Sequence, residues 1–275
     1  MQERAGNEPS PALGAIASAF VAARREGHAL GAFPGAVPAT MAEGYAVQEL
    51  AIARFPDAVV GWKVGAIARP QRERDGDARL VGPIFRRALR RAIGDEPVRF
   101  PVFDGGFAAV EAEFVFRLAG DAVPDKHRYD ADEAAALVAS MHVGIETAGS
   151  PLATINALGP TVVVADFGNN AGLILGPAIA SWRARTPESL TCETFVAGAS
   201  VGRGSAASIE NGPLAALAFA LGHLAARGRP LKAGDCVTTG AVTGIHDIVA
   251  GQSAHVVFDG IATLRCVAVA HGTAA

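Results

Sequence analysis

The sequence is poor in the features that mark several common functional classes. Cysteine is scarce, with three in 275 residues. Cys192, Cys236 and Cys266 lie far apart and form no CxxC pair. That spacing argues against a disulfide framework or a zinc site and fits a reducing, cytoplasmic setting. Isolated cysteines of this kind usually serve as small buried hydrophobes. Excess positive charge is also missing. The 24 Lys and Arg are set against 27 Asp and Glu, for a formal net charge of -3, so there is no electrostatic basis for non-specific nucleic-acid binding. The nearest basic block, Arg86, Arg87, Arg90 and Arg91, reads as a solvated helix face, with a partner interface as the alternative. Long apolar runs are absent. Ala215 to Ala226 is interrupted by Gly222 and His223, is too short to cross a bilayer and reads as a buried helix. Residues 1–10 carry Glu3, Arg4 and Glu8 and lack the apolar centre of a signal peptide. The seven histidines make no HExxH pair; His246 and His255 read as structural or surface residues. There is no GxSxG elbow, and Gly198, Gly202 and Gly204 lack dinucleotide-fingerprint spacing.

What remains is a chain with 50% hydrophobic residues, 32 Gly and 16 Pro, enough for one sizeable core with many turns. Pro11 to Arg25 has Leu13, Ile16, Phe20 and Val21 at helical spacing. After a Pro/Gly-rich stretch, Thr40 caps a second helix reaching about Phe55. These define a helical N-terminal region, residues 1–58, followed by a β-rich catalytic domain, residues 59–275. Within the latter, Val59 to Gly65, Phe107 to Leu118, Thr161 to Asp166, Gly172 to Leu175 and Asp235 to Thr239 read as strands. Arg69 to Asp77 reads as a surface loop. Asp130 to Met141 reads as a helix capped by Asp130 or Asp132. A further helix opens at Pro213 and ends near Gly228. The chain closes on a hairpin turning at Asp259-Gly260. Strands do not alternate strictly with helices, so an α+β or mostly-β core is expected rather than a doubly wound sheet.

The most informative stretch is Phe107 to Leu118. As a strand, its even positions (Ala108, Val110, Ala112, Phe114, Phe116 and Leu118) form one wholly apolar face. The odd positions set Glu111 beside Glu113 on the other face. Two neighbouring carboxylates repel, and a hard divalent cation such as Mg²⁺ or Mn²⁺ would relieve this. Taken alone, a solvated face balanced by Arg117 explains the pattern more simply. Glu146, among small apolar neighbours, would supply a third oxygen ligand or sit at a strand end facing water. Lys63, between Gly61-Trp62 and Val64-Gly65, is either a snorkelling edge residue or a desolvated lysine with a lowered pKa that moves a proton or holds a carboxylate. Asp166-Phe-Gly-Asn169-Asn170 reads either as an ordinary turn or as a loop presenting amides to an anion. Thr238-Thr239-Gly240 ends its strand with the same two options.

Taken in order, several segments resemble the 2-keto-4-pentenoate hydratase / 4-oxalocrotonate decarboxylase branch of the fumarylacetoacetate hydrolase superfamily. These are Glu43-Gly-Tyr-Ala-Val-Gln48, Gly61-Trp-Lys-Val-Gly65, Val110-Glu-Ala-Glu-Phe-Val-Phe116, Gly144-Ile-Glu146, Val164 to Gly176, Glu210-Asn-Gly-Pro-Leu214 and Leu231 to Gly240. The resemblance implies a rolled mixed β-sheet catalytic core with an N-terminal helical region. It implies Mg²⁺ or Mn²⁺ on Glu111, Glu113 and Glu146, with Lys63 catalytic and Asn169, Asn170 and Thr239 lining the pocket. The implied activity is hydration of a small 2-oxo-4-enoate or 2-hydroxydienoate in aromatic-compound degradation. Decarboxylation or C–C hydrolysis on the same site, or a catalytically silent subunit, are the alternatives. The implied assembly is a homo-oligomer, with a decarboxylase or hydratase as a further partner. Three segments depart from the pattern. Arg79 to Phe85 carries no carboxylate where hydratases have an acidic residue. Asn169 or Asn170 replaces a serine, and Thr147-Ala148-Gly149 replaces Asp-Ser-Arg. These departures bear on the reaction more than on the metal site.

Overall fold

The computed structural model describes residues 11–75 and 78–272; the polar segment 1–10 lies outside them. Two helices open the chain, α1 (Pro11–Glu26) and α2 (Met41–Arg54). Then come β1 (Val59–Ala66), α3 (Arg69–Asp75), β2 (Arg79–Phe85), β3 (Leu89–Arg91), β4 (Val98–Val102), β5 (Phe107–Leu118), α4 (Ala131–Ala136), β6 (Val138–Ser150), α5 (Pro160–Ala165) and β7 (Asn170–Ala178). The rest is β8 (Thr191–Val196), β9 (Ala199–Ser205), α6 (Pro213–Ala226), β10 (Cys236–Thr238), β11 (His246–Asp247), β12 (Ser253–Phe258) and β13 (Ala262–Ala270). Eight strands form a mixed sheet in the order β2-β1-β10-β5-β6-β7-β3, with β11 paired to β5. A five-stranded sheet runs β4-β13-β12-β8-β9. This is the α+β architecture expected, a rolled mixed sheet with helices at its N-terminal end.

The long antiparallel pair β5–β6 forms the spine, registered from Phe107↔Ser150 to Leu118↔Val138. The apolar face of β5 behaves as its alternation predicts. Val110, Ala112, Phe114, Phe116 and Leu118 are buried in one cluster that also takes Ile16 and Phe20 of α1, Leu217 and Leu221 of α6, and Val256 and Leu264 of the second sheet. Burial of this apolar area is the main favourable term in folding.

Five local expectations are corrected. Thr161 to Asp166, β-branched and apolar, is helical. Gly159 (φ +98°) and Pro160 at the first helical position start the turn, and all six residues of α5 are buried against α2. Tertiary packing outweighs the β-branched side chains here. The two backbones meet where Gly44 lacks a side chain; a Cβ there would lie 2.6 Å from the Thr161 carbonyl oxygen. The helix expected from Asp130 to Met141 does begin with a capping box between Asp130 and Glu133, but α4 ends at Ala136. Val138 already pairs with Leu118, so the spine claims those residues. Arg69 to Asp75 is a short helix rather than a loop, because Arg72 donates to the Ile67 carbonyl (3.0 and 2.7 Å) and pairs with Glu210 at 2.7 Å; residues 76–77 lie outside the described set. The Arg86–Arg91 cluster is a 3₁₀ turn running into β3 rather than a helix face. The closing hairpin turns through three residues, Asp259 to Ile261, since Phe258 pairs with Ala262.

Candidate metal centre

The register of the large sheet decides which side chains meet. Across an antiparallel pair, opposed residues share a face. Glu111 of β5 lies opposite Glu146 of β6, and Glu113 lies two residues along the same face. Val115 is opposite Thr238 of β10. The parallel pairing of Gly61 and Trp62 with Cys236 and Val237 carries the same face to Lys63. Four charged side chains thus converge from β1, β5 and β6. The solvated alternative for the Glu111/Glu113 face is excluded, because Glu113 and Glu146 are 0% exposed, and Glu111 and Lys63 are 4%.

The carboxylates of Glu111, Glu113 and Glu146 each bring an oxygen within 4.8 Å of the others. Each also keeps one buried oxygen without a partner: Oε1 of Glu111, Oε1 of Glu113 and Oε2 of Glu146. The opposite oxygens are held in place where bonds are resolved. Gly240 N–H donates to Glu113 Oε2 at 2.5 Å, and Asn170 Nδ2 donates to Glu146 Oε1 at 2.9 Å. Three clustered buried carboxylates, each with an oxygen left unpartnered, are an all-oxygen, hard donor set suited to a divalent cation. Burial, followed by the charge of Glu146, pushes Glu111 up to about 8 and Glu113 well above the ordinary carboxylate range.

Lys63 is not the depressed lysine that its apolar strand allowed. Burial lowers its pKa, but the charges of Glu146, Glu111 and Glu113 together outweigh that, and the net direction is up. Its Nζ donates to Asn169 Oδ1 at 3.0 Å and lies 3.6 Å from Glu146 Oε1. Directly opposite it on β2 stands Gly82. A Cβ on Gly82 would lie 2.0 Å from the Phe167 carbonyl oxygen. That absent side chain lets the turn Phe167 (φ +56°), Gly168 (+65°) and Asn169 (+55°) reach over the sheet and present Asn169 to the lysine.

Of the residues expected to line the pocket, Asn169 does so. Thr239 does not present its hydroxyl there, because that group donates to the Phe114 carbonyl at 2.9 Å. Thr239 instead positions Gly240 against Glu113. Asn170 uses its amide to hold Glu146. The cavity over the centre, of about 530 Å³, is lined by Lys63, Glu111 and Asn169, with Gln71 of α3, Asn156 before α5 and Asp247 of β11.

Two supporting residues went unforeseen. Arg24 of α1 is buried (8% exposed). Its Nε lies 2.5 Å from Asp166 Oδ1 and its Nη2 2.9 Å from Oδ2, and its Nη1 donates to the Asn170 carbonyl at 2.9 Å. Ser150 Oγ also donates to Asp166, at 2.6 Å. This bidentate pair ties α1 to the turn carrying Asn169 and Asn170. Its sequence signal is Arg24 continuing the stripe of Ile16, Ala17 and Phe20 at helical spacing, where a solvent-facing arginine would not fall.

Comparison with solved structures agrees with this architecture. 4-Oxalocrotonate decarboxylase from Pseudomonas putida G7, complexed with magnesium and adipate, superposes with a TM-score of 0.78 at 21% identity, covering 94% of this chain and 97% of that one. The chain has the fumarylacetoacetate hydrolase-like fold. Two structures of other enzymes match over less of the chain. Fumarylpyruvate hydrolase from Pseudomonas aeruginosa, in complex with Mn²⁺ and pyruvate, gives a TM-score of 0.54 at 17% identity, covering 76% of this chain and 89% of that one. 2-Hydroxyhepta-2,4-diene-1,7-dioate isomerase from Mycobacterium marinum gives 0.55 at 18%, covering 79% and 78%. No family model matches the sequence, and the search of curated proteins found no match. Among the described residues, no helix is long and apolar enough to cross a membrane.

Proposed function

We propose that this chain is a divalent-metal-dependent hydratase acting on a small 2-oxo-4-enoate or its 2-hydroxydienoate tautomer. The observation carrying this reading is the cluster of three buried carboxylates with an orphan oxygen each, of which Glu111 lines a cavity beside the buried Lys63. Glu111, Glu113 and Glu146 would hold Mg²⁺ or Mn²⁺, as hard oxygen donors favour. Such an ion would supply Lewis-acid stabilisation of negative charge developing on the 2-oxygen of the substrate. Lys63, kept as an ammonium by the glutamates, orients the substrate carboxylate or holds the proton in transit. Asn169 fixes the lysine, and Asn170 and Gly240 fix the glutamates. Ketonisation would place a proton on C5 of the dienol as the 2-hydroxyl proton leaves. Water would then add its hydroxyl to C4 and its proton to C3, giving a 4-hydroxy-2-oxo acid.

Likeness to 4-oxalocrotonate decarboxylase over nearly the whole chain favours a second reading, decarboxylation of a 2-oxo-enedioate on the same residues. The deciding experiment follows dienol absorbance of 2-hydroxypenta-2,4-dienoate with and without Mg²⁺, identifies the product, and includes Glu113→Ala. Metal-dependent conversion to the 4-hydroxy-2-oxo acid, lost in the variant, is the expected result. Metal binding without turnover of any 2-oxo acid would refute hydration and mark a silent subunit.

A further inference from the structure

The charge lining the cavity carries information about the far end of the substrate. Asp247 lies opposite Ala109 in the β11–β5 pair, so its side chain shares the face of Ala109, Glu111 and Glu113. It stands diagonally from Glu111, a separation of about 7–8 Å between such positions. Asp247 is exposed at the cavity wall. Among the described residues lining that cavity, Lys63 is the one cation, and its contacts with Asn169 and Glu146 hold it at the glutamate end, where the 2-oxo acid's own carboxylate would lie. Gln71 also lines it, with a buried amide oxygen that has no partner and can accept from a hydroxyl or a water.

A 2-oxo acid whose carboxylate and 2-oxygen sit over the glutamates must lay its remaining carbons along this wall. A second carboxylate at the far end would meet no further cation among the described lining residues, and it would face Asp247. A carboxylate that gives up part of its hydration without gaining a partner is disfavoured, and a like charge nearby adds to that cost.

We infer that Asp247 is a specificity-determining residue that restricts the site to monocarboxylic 2-oxo acids with an uncharged distal end and rejects 2-oxo dicarboxylates. The inference rests on the reading of the site as a metal-dependent 2-oxo-acid centre.

The test is calorimetric binding to the Mg²⁺-loaded protein of two acids of equal length, 2-oxohexanoate and 2-oxohexanedioate. The monoacid should bind about tenfold more tightly or better. Asp247→Asn should close about fivefold of that gap, and Asp247→Lys should close more, through tighter binding of the diacid and not weaker binding of the monoacid. Mg²⁺ binding by each variant confirms that it is folded. Equal or tighter binding of the diacid by the wild-type protein overturns the inference alone, as does a gap that neither variant moves. If Mg²⁺ binds but neither acid does, the 2-oxo-acid reading falls and the inference with it.

Discussion

Replacing Glu113 by glutamine separates the two states of the centre. In the metal-free protein Glu113 is fully buried, with one oxygen on the Gly240 amide and the other without a partner. Two ionised carboxylates within 4.8 Å of each other in this cluster would repel by at least ~3.5 kcal/mol at an effective dielectric near 20. That repulsion, with burial, favours the protonated forms, and Glu113 is pushed well above the ordinary carboxylate range. A glutamine resembles the protonated form toward which burial and Glu146 push this side chain: its carbonyl still accepts from Gly240, and its amide can donate toward Glu146. The metal-free variant should melt within about 3 °C of wild type, at the 2–4 °C per kcal/mol expected for a domain of this size. With Mg²⁺ at one hundred times Kd, wild type should gain about 2.7 kcal/mol, or roughly 5–10 °C. The variant should gain less than a third of that. The shift should also grow with pH. Glu111 is raised from 4.5 to about 8, so its protonated form stabilises the metal-free fold fully below pH 4.5, and that contribution is lost as pH rises through about 8. Competition between proton and cation fades over the same window. Differential scanning calorimetry from pH 6 to 9 measures both effects. A variant that keeps the full Mg²⁺ shift would refute the three-glutamate centre. A metal-free variant weakened by several kcal/mol would show that Glu113 is held by packing and not poised for an ion.

Three further outcomes follow from the same geometry. Arg24→Met should cost about 3–5 kcal/mol by leaving Asp166 charged and buried; chemical denaturation measures it, and Arg24→Met with Asp166→Asn should recover much of the loss. Gly82→Ala should displace the Phe167–Asn169 turn, because the added methyl meets backbone at 2.0 Å; a crystal structure would show the Lys63–Asn169 bond broken, and turnover should fall at least tenfold. His223, packed between Tyr45 and Phe219, is lowered from 6.5 to about 4 by burial and then by Arg227. Its neutral form contributes stability that is present above pH 6.5 and lost as pH falls toward 4, about 3 kcal/mol at most; His223→Phe should flatten the stability profile over that interval.

How much of this could be read from the chain depends on the range of the forces involved. The strand Phe107–Leu118 was legible to the residue, because period-two alternation is written locally and its wholly apolar face packs into the core as that pattern requires. The caps at Thr40 and Asp130 were legible for the same reason. Thr161 to Asp166 was not, since its side chains favour a strand and only packing against α2, through the gap at Gly44, makes it a helix. The site divides in the same way. Glu111 and Glu113 are neighbours on one strand, whereas Glu146, Lys63 and Asn169 arrive through pairings set by β6, β1 and a left-handed turn. Periodicity alone favoured a wet face for the two glutamates. Burial reverses that reading, because a carboxylate cluster with three orphan oxygens is stable in a dry core only when protonated or when a cation completes it. Thr239 shows the converse: its place beside the centre was legible, but its hydroxyl serves the Phe114 carbonyl. A hydroxyl at a strand end has two possible customers, backbone and ligand, and the choice between them is made by a hydrogen bond 125 residues away in sequence.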